Sequence, residues 1–253
     1  MYRYFIELAY NGKAFNGWQA QPLAPSVQQE FNKDLSLLLR EPIRVTGAGR
    51  TDTGVHASFF TAHFDTLCPI SSPEGLKGKL NRFLGRDIYV FDIYRVKEDA
   101  HARFSALSRT YKYYVGKRKN PFNYDFTFIT YPLPEVEKMN EACKILFEFT
   151  DFTSFSKLHT DVKTNNCRIL EAGWEDTAEH LIFTIKADRF LRNMVRAIVG
   201  TLLEVGQNKI TPEEFRQIIA SKDRSRAGNS VPGHALFLHA IAYPDNLKYK
   251  MPI

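Results

Sequence analysis

The chain has 253 residues, enough for one large or two small domains, and its 44% hydrophobic and 25% charged content is ordinary for a soluble globular protein. No apolar run reaches the length of a membrane span, and the three cysteines, Cys68, Cys143 and Cys167, form no CxxC pair, which argues against a zinc site or a disulfide framework. A net charge of +6 and a pI near 9.1 make the chain mildly basic, which by itself does not demand a polyanionic partner.

The elements follow in order from hydrophobic period and capping signals. Residues 2–10, within MYRYFIELAY, alternate as a strand and lack the build of a signal peptide. Ser26 to Gln29 reads as a capping box, and Val27, Phe31, Leu35 and Leu38 then predict a helix to about Arg40. After Pro42, Ile43 to Thr46 predicts a short strand, and residues 57–65 the next one. Ser72-Pro73 opens a helix carrying Leu76, Leu80 and Phe83, with Gly85 as its stop, and residues 88–96 make another strand. This β-α-β-β-α-β order is a split βαβ pattern.

The order then repeats. A strand over 109–116 precedes a helix marked by Val136, Met139, Cys143 and Leu146, and paired strands follow over 167–175 and 180–187. An apolar helix spans 190–204, ending at Gly206; a capping box and first-turn proline at Thr211-Pro212-Glu213-Glu214 open another; residues 236–243 form the last strand. The predicted fold class is therefore α+β: two ferredoxin-like (RRM-like) halves with mainly antiparallel sheets, residues 1–105 and 106–253, with no repeat at the level of residue identity. Fold alone does not assign function.

Chemistry concentrates at Gly47-Ala48-Gly49-Arg50-Thr51-Asp52-Thr53-Gly54-Val55-His56-Ala57. One carboxylate, Asp52, sits among small residues; Gly47, Gly49 and Gly54 admit positive φ and let a ligand approach the backbone. Arg50 offers a planar fork of donors for a phosphate or a carbonyl-rich edge. A plain glycine-rich turn with Asp52 capping an amide is the competing explanation. A second concentration lies in residues 105–120, where Arg109, Lys112, Lys117, Arg118 and Lys119 interleave with Tyr111, Tyr113 and Tyr114 without an acid among them. Basic groups can follow a phosphate backbone while rings stack on bases; a lysine-protected edge strand would look the same.

GAGRTDTGVHA resembles the signature of the tRNA pseudouridine synthase A family, GAGRTDxGVHA. Three further segments are similar to that family. Ser108-Arg109-Thr110-Tyr111 resembles its Arg-x-Tyr motif, Phe190-Leu191-Arg192-Asn193-Met194-Val195-Arg196 its FLxxMVR segment, and Val231 to Leu238 its PxxGLxL segment, with Ala235 replacing a glycine. Phe152-Thr153-Ser154-Phe155 matches a fourth, although Thr150 replaces its histidine; Lys157, Lys163 and Arg168 follow as candidate RNA contacts.

The resemblance implies a fold and a reaction. Two α/β halves would surround a central active-site cleft, and a homodimer would share one RNA. Uridines 38, 39 and 40 of the tRNA anticodon stem-loop would be isomerised to pseudouridine without a cofactor. Asp52 would be the catalytic nucleophile, attacking C6 of uracil or C1′ of ribose. Arg196 would be its cationic partner in a buried ion pair, Tyr111 would stack on the target uracil and relay the C5 proton, and Arg50 would fill the space the flipped base leaves or hold its phosphate.

Seven histidines invite a metal, but no pair has HxxxH or HExxH spacing, so no metal is expected, and His56 is read as a loop residue shaping the site. The glycines match neither GxxxxGK[ST] nor GxGxxG. A non-catalytic RNA-binding protein would keep the basic tyrosine strand but has no need of Asp52 with Arg196, and a small-molecule enzyme has no need of an extended basic surface. The widely separated cysteines fit a cytoplasmic protein, with tRNA as partner and no membrane.

Overall fold

In a computed structural model that describes residues 1–157 and 164–248, the first alternating run forms β1, Tyr2–Tyr10, with Tyr4, Ile6, Leu8 and Tyr10 buried on one face. It pairs antiparallel with β3, His56–Thr66, and with β4, Ile88–Arg95. Helices α1, Val27–Leu39, and α2, Pro73–Phe83, bury Val27, Phe31, Leu35, Leu76 and Leu80. Trp18 fills the space beside α1: it lies 6.3 Å from Phe31 and stacks on Phe60 of β3 at 4.2 Å.

Two predicted features of this region take a different form. Ser26 stands at the N-cap of α1, but its hydroxyl makes no cap bond and is buried without a hydrogen-bond partner, so the capping box is not built. The strand expected over 43–46 shrinks to β2, the two residues Thr46–Gly47, on β3. Side chains of α1 take its backbone groups instead: Asn32 Oδ1 accepts from Val45 N (2.8 Å), Gln28 Nε2 donates to Val45 O (2.6 Å) and Ser36 Oγ accepts from Ile43 N (2.8 Å). Main-chain groups satisfied this way need no sheet ladder. At α2 the expected cap is built: Ser72 Oγ accepts from Gly75 N at 3.0 Å, with Pro73 in the first turn.

The chain divides into two compact units, one holding residues 1–107 and the chain from Leu238 on, the other Ser108–Phe237. In the first unit the strand order is β4–β1–β3–β9, where β9 is Leu236–Ala242. In the second, β5 (Ser108–Gly116), β8 (His180–Ala187) and β7 (Ile169–Asp176) lie in that order and pair antiparallel, and β6 (Phe128–Ile129) pairs parallel with the end of β5.

The helices of the second unit are α3, Val136–Ile145, α4, Met194–Gly206, and α5, Pro212–Ser221. The capping box of α5 is complete, Glu214 N donating to Thr211 Oγ1 (3.2 Å) and Thr211 N to Glu214 Oε2 (2.7 Å). Nearly every residue of α4 is buried, the state expected of a helix apolar on all sides. It begins at Met194 rather than at 190, because Asn193 takes a left-handed conformation (φ 67°) and breaks the helical run. Among the described residues no helix is long and apolar enough to cross a membrane.

Candidate active site

The Asp52 loop leaves β2 and enters β3 within the first unit. Its conformation comes from a segment it does not touch in sequence, residues 10–18. Gly17 has φ +84°, and a Cβ there would sit 2.1 Å from Thr51 O; a Cβ on Gly12 would sit 2.1 Å from Val55 O. The two backbones therefore lie against each other at both ends of the loop, which only glycine permits. Hydrogen bonds fix the contact. Thr51 Oγ1 accepts from Trp18 N (3.1 Å) and bonds Tyr10 Oη (2.9 Å); Gly54 N donates to Phe15 O (3.3 Å); Gly12 N donates to His56 Nδ1 (2.9 Å).

Within the loop, Val55 N donates to Asp52 O at 3.2 Å, and Gly54 takes φ +74°. Gly47 and Gly49 have no positive φ. Gly47 is needed for a different reason: a Cβ would lie 2.5 Å from the Trp18 ring and 2.8 Å from Phe60, whereas at Gly49 it would meet nothing. Asp52 itself is half-buried, while Arg50 is exposed and donates from Nε to Gln19 Oε1 at 3.2 Å.

Thr51→Val should expose how much this brace contributes. Valine keeps the shape but leaves the Trp18 N–H without its acceptor, which costs about 1–3 kcal/mol when the group is buried. Denaturant unfolding of the two proteins measures the difference, and an unchanged midpoint would show that the hydroxyl is dispensable.

In the second unit, alternation puts Tyr111 and Tyr113 on one strand face, and the structure separates their environments. Tyr113 is fully buried and its hydroxyl donates to Pro232 O at 3.1 Å. Burial pushes its phenol far above the ordinary range, and the charge of Arg196 pulls it partly back. Tyr113 is thus the core tyrosine. Tyr111, opposite Ile185 of β8, is half-buried, with its ring edge-on to Phe190 at 5.2 Å.

Arg196 lies in the first turn of α4, where the helix dipole disfavours a cation. It is half-buried and its Nε donates to Val231 O at 2.7 Å, so it is held by the protein rather than extended into solvent. The 227–231 segment is seated on α4: Val231 N donates to Arg196 O (3.2 Å), Gly228 N to Thr201 Oγ1 (3.0 Å), and Asn193 Nδ2 to Ser230 Oγ (2.6 Å). The motif segments 190–196 and 231–238, distant in sequence, meet here.

Two cations of the basic run of residues 109–119 are paired with acids at the β7–β8 turn, Lys117 with Asp176 and Arg118 with Glu179 at 3.1 Å. Arg109 donates to the main-chain Asp188 O at 2.9 Å. Lys157 and Arg168 are exposed, and Lys163 lies outside the described residues. Among the described residues no group of three or more His, Cys, Asp or Glu side chains could hold a metal ion. His63 Nδ1 instead accepts from Ala102 N at 3.1 Å; burial, the neighbouring His101 and Arg3 lower its pKa to about 4.

Trp18, Tyr10, Gly12 and Gly17 support the loop, yet no local pattern marks them. The one signal is the pair of glycines, Gly12 and Gly17, ahead of an otherwise unplaced tryptophan.

A family model described as tRNA pseudouridine synthase matches residues 142–244, which include the 190–196 and 231–238 segments. The chain is 58% identical over 250 residues to a tRNA pseudouridine synthase A of Parabacteroides distasonis, covering 98% of each. It is 54% identical over 250 residues to that of Porphyromonas gingivalis (98% of this chain, 99% of the relative), and 41% identical over 245 residues to that of Bacillus subtilis (94% and 98%). These similarities put the chain among the tRNA pseudouridine synthases, which are isomerases. Within that class, it belongs to the tRNA pseudouridine synthase A family.

Proposed function

We propose that this protein isomerises uridine to pseudouridine in tRNA, at positions 38, 39 and 40 of the anticodon stem-loop, with Asp52 as nucleophile. The observation that carries the proposal is the near full-length identity to tRNA pseudouridine synthases A, joined to a complete GAGRTDTGVHA loop. In that loop the residues on either side of Asp52 are held by buried hydrogen bonds. A free aspartate has a pKa of about 3.9 and is a carboxylate at neutral pH.

The target uridine leaves its stack, at a cost of a few kcal/mol that contacts in the site offset. The Asp52 carboxylate adds either to C6 of the uracil or to C1′ of the ribose. The N1–C1′ bond breaks, the uracil turns, and C5 bonds to C1′. The C5 proton passes to solvent, N1 takes up a proton in place of its bond to C1′, and Asp52 is released unchanged. Atoms and electrons balance within the nucleotide, so the reaction calls for no cofactor. Tyr111 stacks on the uracil and its hydroxyl relays the C5 proton; its half-exposed ring, unlike that of Tyr113, suits this role. Arg196 serves as the cationic partner of the Asp52 carboxylate, and Arg50, already exposed, contacts the flipped nucleotide or its phosphate.

The proposal extends to architecture and setting: two ferredoxin-like halves, residues 1–105 and 106–253, around a central cleft, a homodimer sharing its RNA, and a cytoplasmic location. Purified protein, with no added cofactor, should release tritium from a tRNA transcript labelled at C5 of uridine. Release should reach the number of modified uridines per tRNA, and a transcript with cytidine at 38–40 should release none. Absence of release from the uridine transcript would refute the assignment.

A further inference from the structure

His56 is the residue of the Asp52 loop whose role the sequence leaves open. It opens β3 and is 1% exposed, between Val55 and Ala57, both 2% exposed. A side chain so placed could be satisfied by packing alone, and a leucine would pack there as well. Its hydrogen bond argues otherwise. Nδ1 accepts from Gly12 N at 2.9 Å, which requires the neutral imidazole with its proton on Nε2. Gly12 is itself buried, and without His56 its N–H would have no acceptor there.

The location of that bond gives it consequence. Gly12 begins the single 3-10 turn Gly12–Ala14 that follows β1, and its backbone is pressed against Val55 O, as the 2.1 Å clash of a Cβ there shows. The same segment reaches the other side of Asp52 five and six residues after Gly12, where Gly17 abuts Thr51 O and Trp18 N donates to Thr51 Oγ1. Residues 51–56 are thus clamped at both ends to one strand-anchored segment, with Gly54 N bonded to Phe15 O between them, and Asp52 lies between the end clamps. His56 supplies the acceptor for the second clamp.

We propose that His56 is a positioning residue for Asp52: through its Nδ1 bond to Gly12 it sets the end of the catalytic loop, so that the carboxylate stays at reaction distance from the flipped nucleotide. It touches neither substrate nor reacting atoms. The inference rests on Asp52 as nucleophile. Its signature is a loss of rate with binding retained, because the RNA-gripping surface does not depend on this bond.

The side-chain series His56→Asn, His56→Gln and His56→Leu separates positioning from packing. Asparagine places an amide oxygen where Nδ1 stands; glutamine places its amide further out, at the position of Nε2; leucine has no acceptor. Single-turnover pseudouridine formation, tRNA Kd and the thermal midpoint are read on each. H56Q and H56L should lose roughly 10- to 100-fold in rate, the scale of a misplacement of about 1 Å, while tRNA Kd changes only a few-fold. H56N should recover most of the rate even where its thermal midpoint is as low as that of H56Q. H56N as slow as H56L, or H56L as fast as wild type, would overturn the proposal.

A measurement on the unmodified protein guards against variants that fail to fold. Nitrogen-15 NMR of the histidine rings at neutral pH should show His56 with an unprotonated Nδ1 and a protonated Nε2, and the Gly12 amide should be protected from exchange. A Nδ1–H tautomer, or a rapidly exchanging Gly12 amide, would overturn it as well. Failure of the underlying reading looks different: wild-type protein that releases no tritium removes the reaction, an Asp52→Asn variant that still releases it removes Asp52 as nucleophile, and either result leaves the histidine spectra untouched.

Discussion

Asp52→Asn is expected to lower single-turnover pseudouridine formation by at least about three orders of magnitude, roughly 4 kcal/mol in the barrier, while tRNA affinity changes only a few-fold. The amide matches the carboxylate in size and can occupy the same half-buried position, so the braces from Trp18, Phe15 and Gly12 to Thr51, Gly54 and His56 persist. What is lost is the nucleophile: a neutral amide oxygen adds poorly to C6 or C1′. The measurement is tritium release under enzyme excess, beside filter binding of the same transcript. Rates near wild type from purified Asp52→Asn would remove Asp52 from the chemistry. A parallel fall in affinity would point instead to a role in gripping the RNA.

Gly200→Ala should be the most damaging methyl in the second unit. Gly200 lies in the middle of α4, where alanine is ordinarily the better helix former. Here a Cβ would lie 1.8 Å from Asn229 O and 3.0 Å from its carbonyl carbon, both main-chain atoms that no rotamer change can move aside. The 227–231 segment must therefore lift from the helix. It carries Val231 O, which holds Arg196, and leads into Pro232 O, which accepts from buried Tyr113. Overpacking of this kind costs about 1–3 kcal/mol or more, and at roughly 2–4 °C per kcal/mol the apparent melting temperature should fall measurably. Activity should fall further than stability alone explains, because Arg196 loses its carbonyl. A Gly200→Ala protein that melts with wild type and turns over normally would show that the segment can shift without consequence.

Much of this architecture is legible in the order of the amino acids. The alternation of residues 2–10, the Ser72-Pro73 start of α2 and the Thr211–Glu214 capping box depend on residues within a few positions of one another, and each takes the expected form. The family is legible for the same reason, since GAGRTDTGVHA and FLRNMVR are contiguous strings whose chemistry is written in residue type and spacing. Local signals fail where a distant group outweighs the local one. Ser26 presents every mark of a cap, yet its hydroxyl is buried with no partner. The segment 43–45 has the composition of a strand, yet Gln28, Asn32 and Ser36 of α1 hold its backbone. The helix expected from residue 190 waits until Met194 because Asn193 turns left-handed, its side chain bonded to Ser230.

The sequence by itself determined the family and most of the runs that become helix or strand, and it singled out the residues proposed to carry the chemistry, because those properties are set by residue type and short-range spacing. Tertiary structure alone decided how the chemistry is held. Thr51 meets Tyr10 and Trp18, Gly12 meets His56, Arg196 meets Val231, and Tyr113 rather than Tyr111 is taken into the core. Each of these pairings joins groups far apart along the chain, and no periodicity encodes which buried donor will find which acceptor. That choice follows from close packing of backbones at Gly12, Gly17 and Gly200, where the absence of a single side-chain atom brings two chain segments within bonding distance.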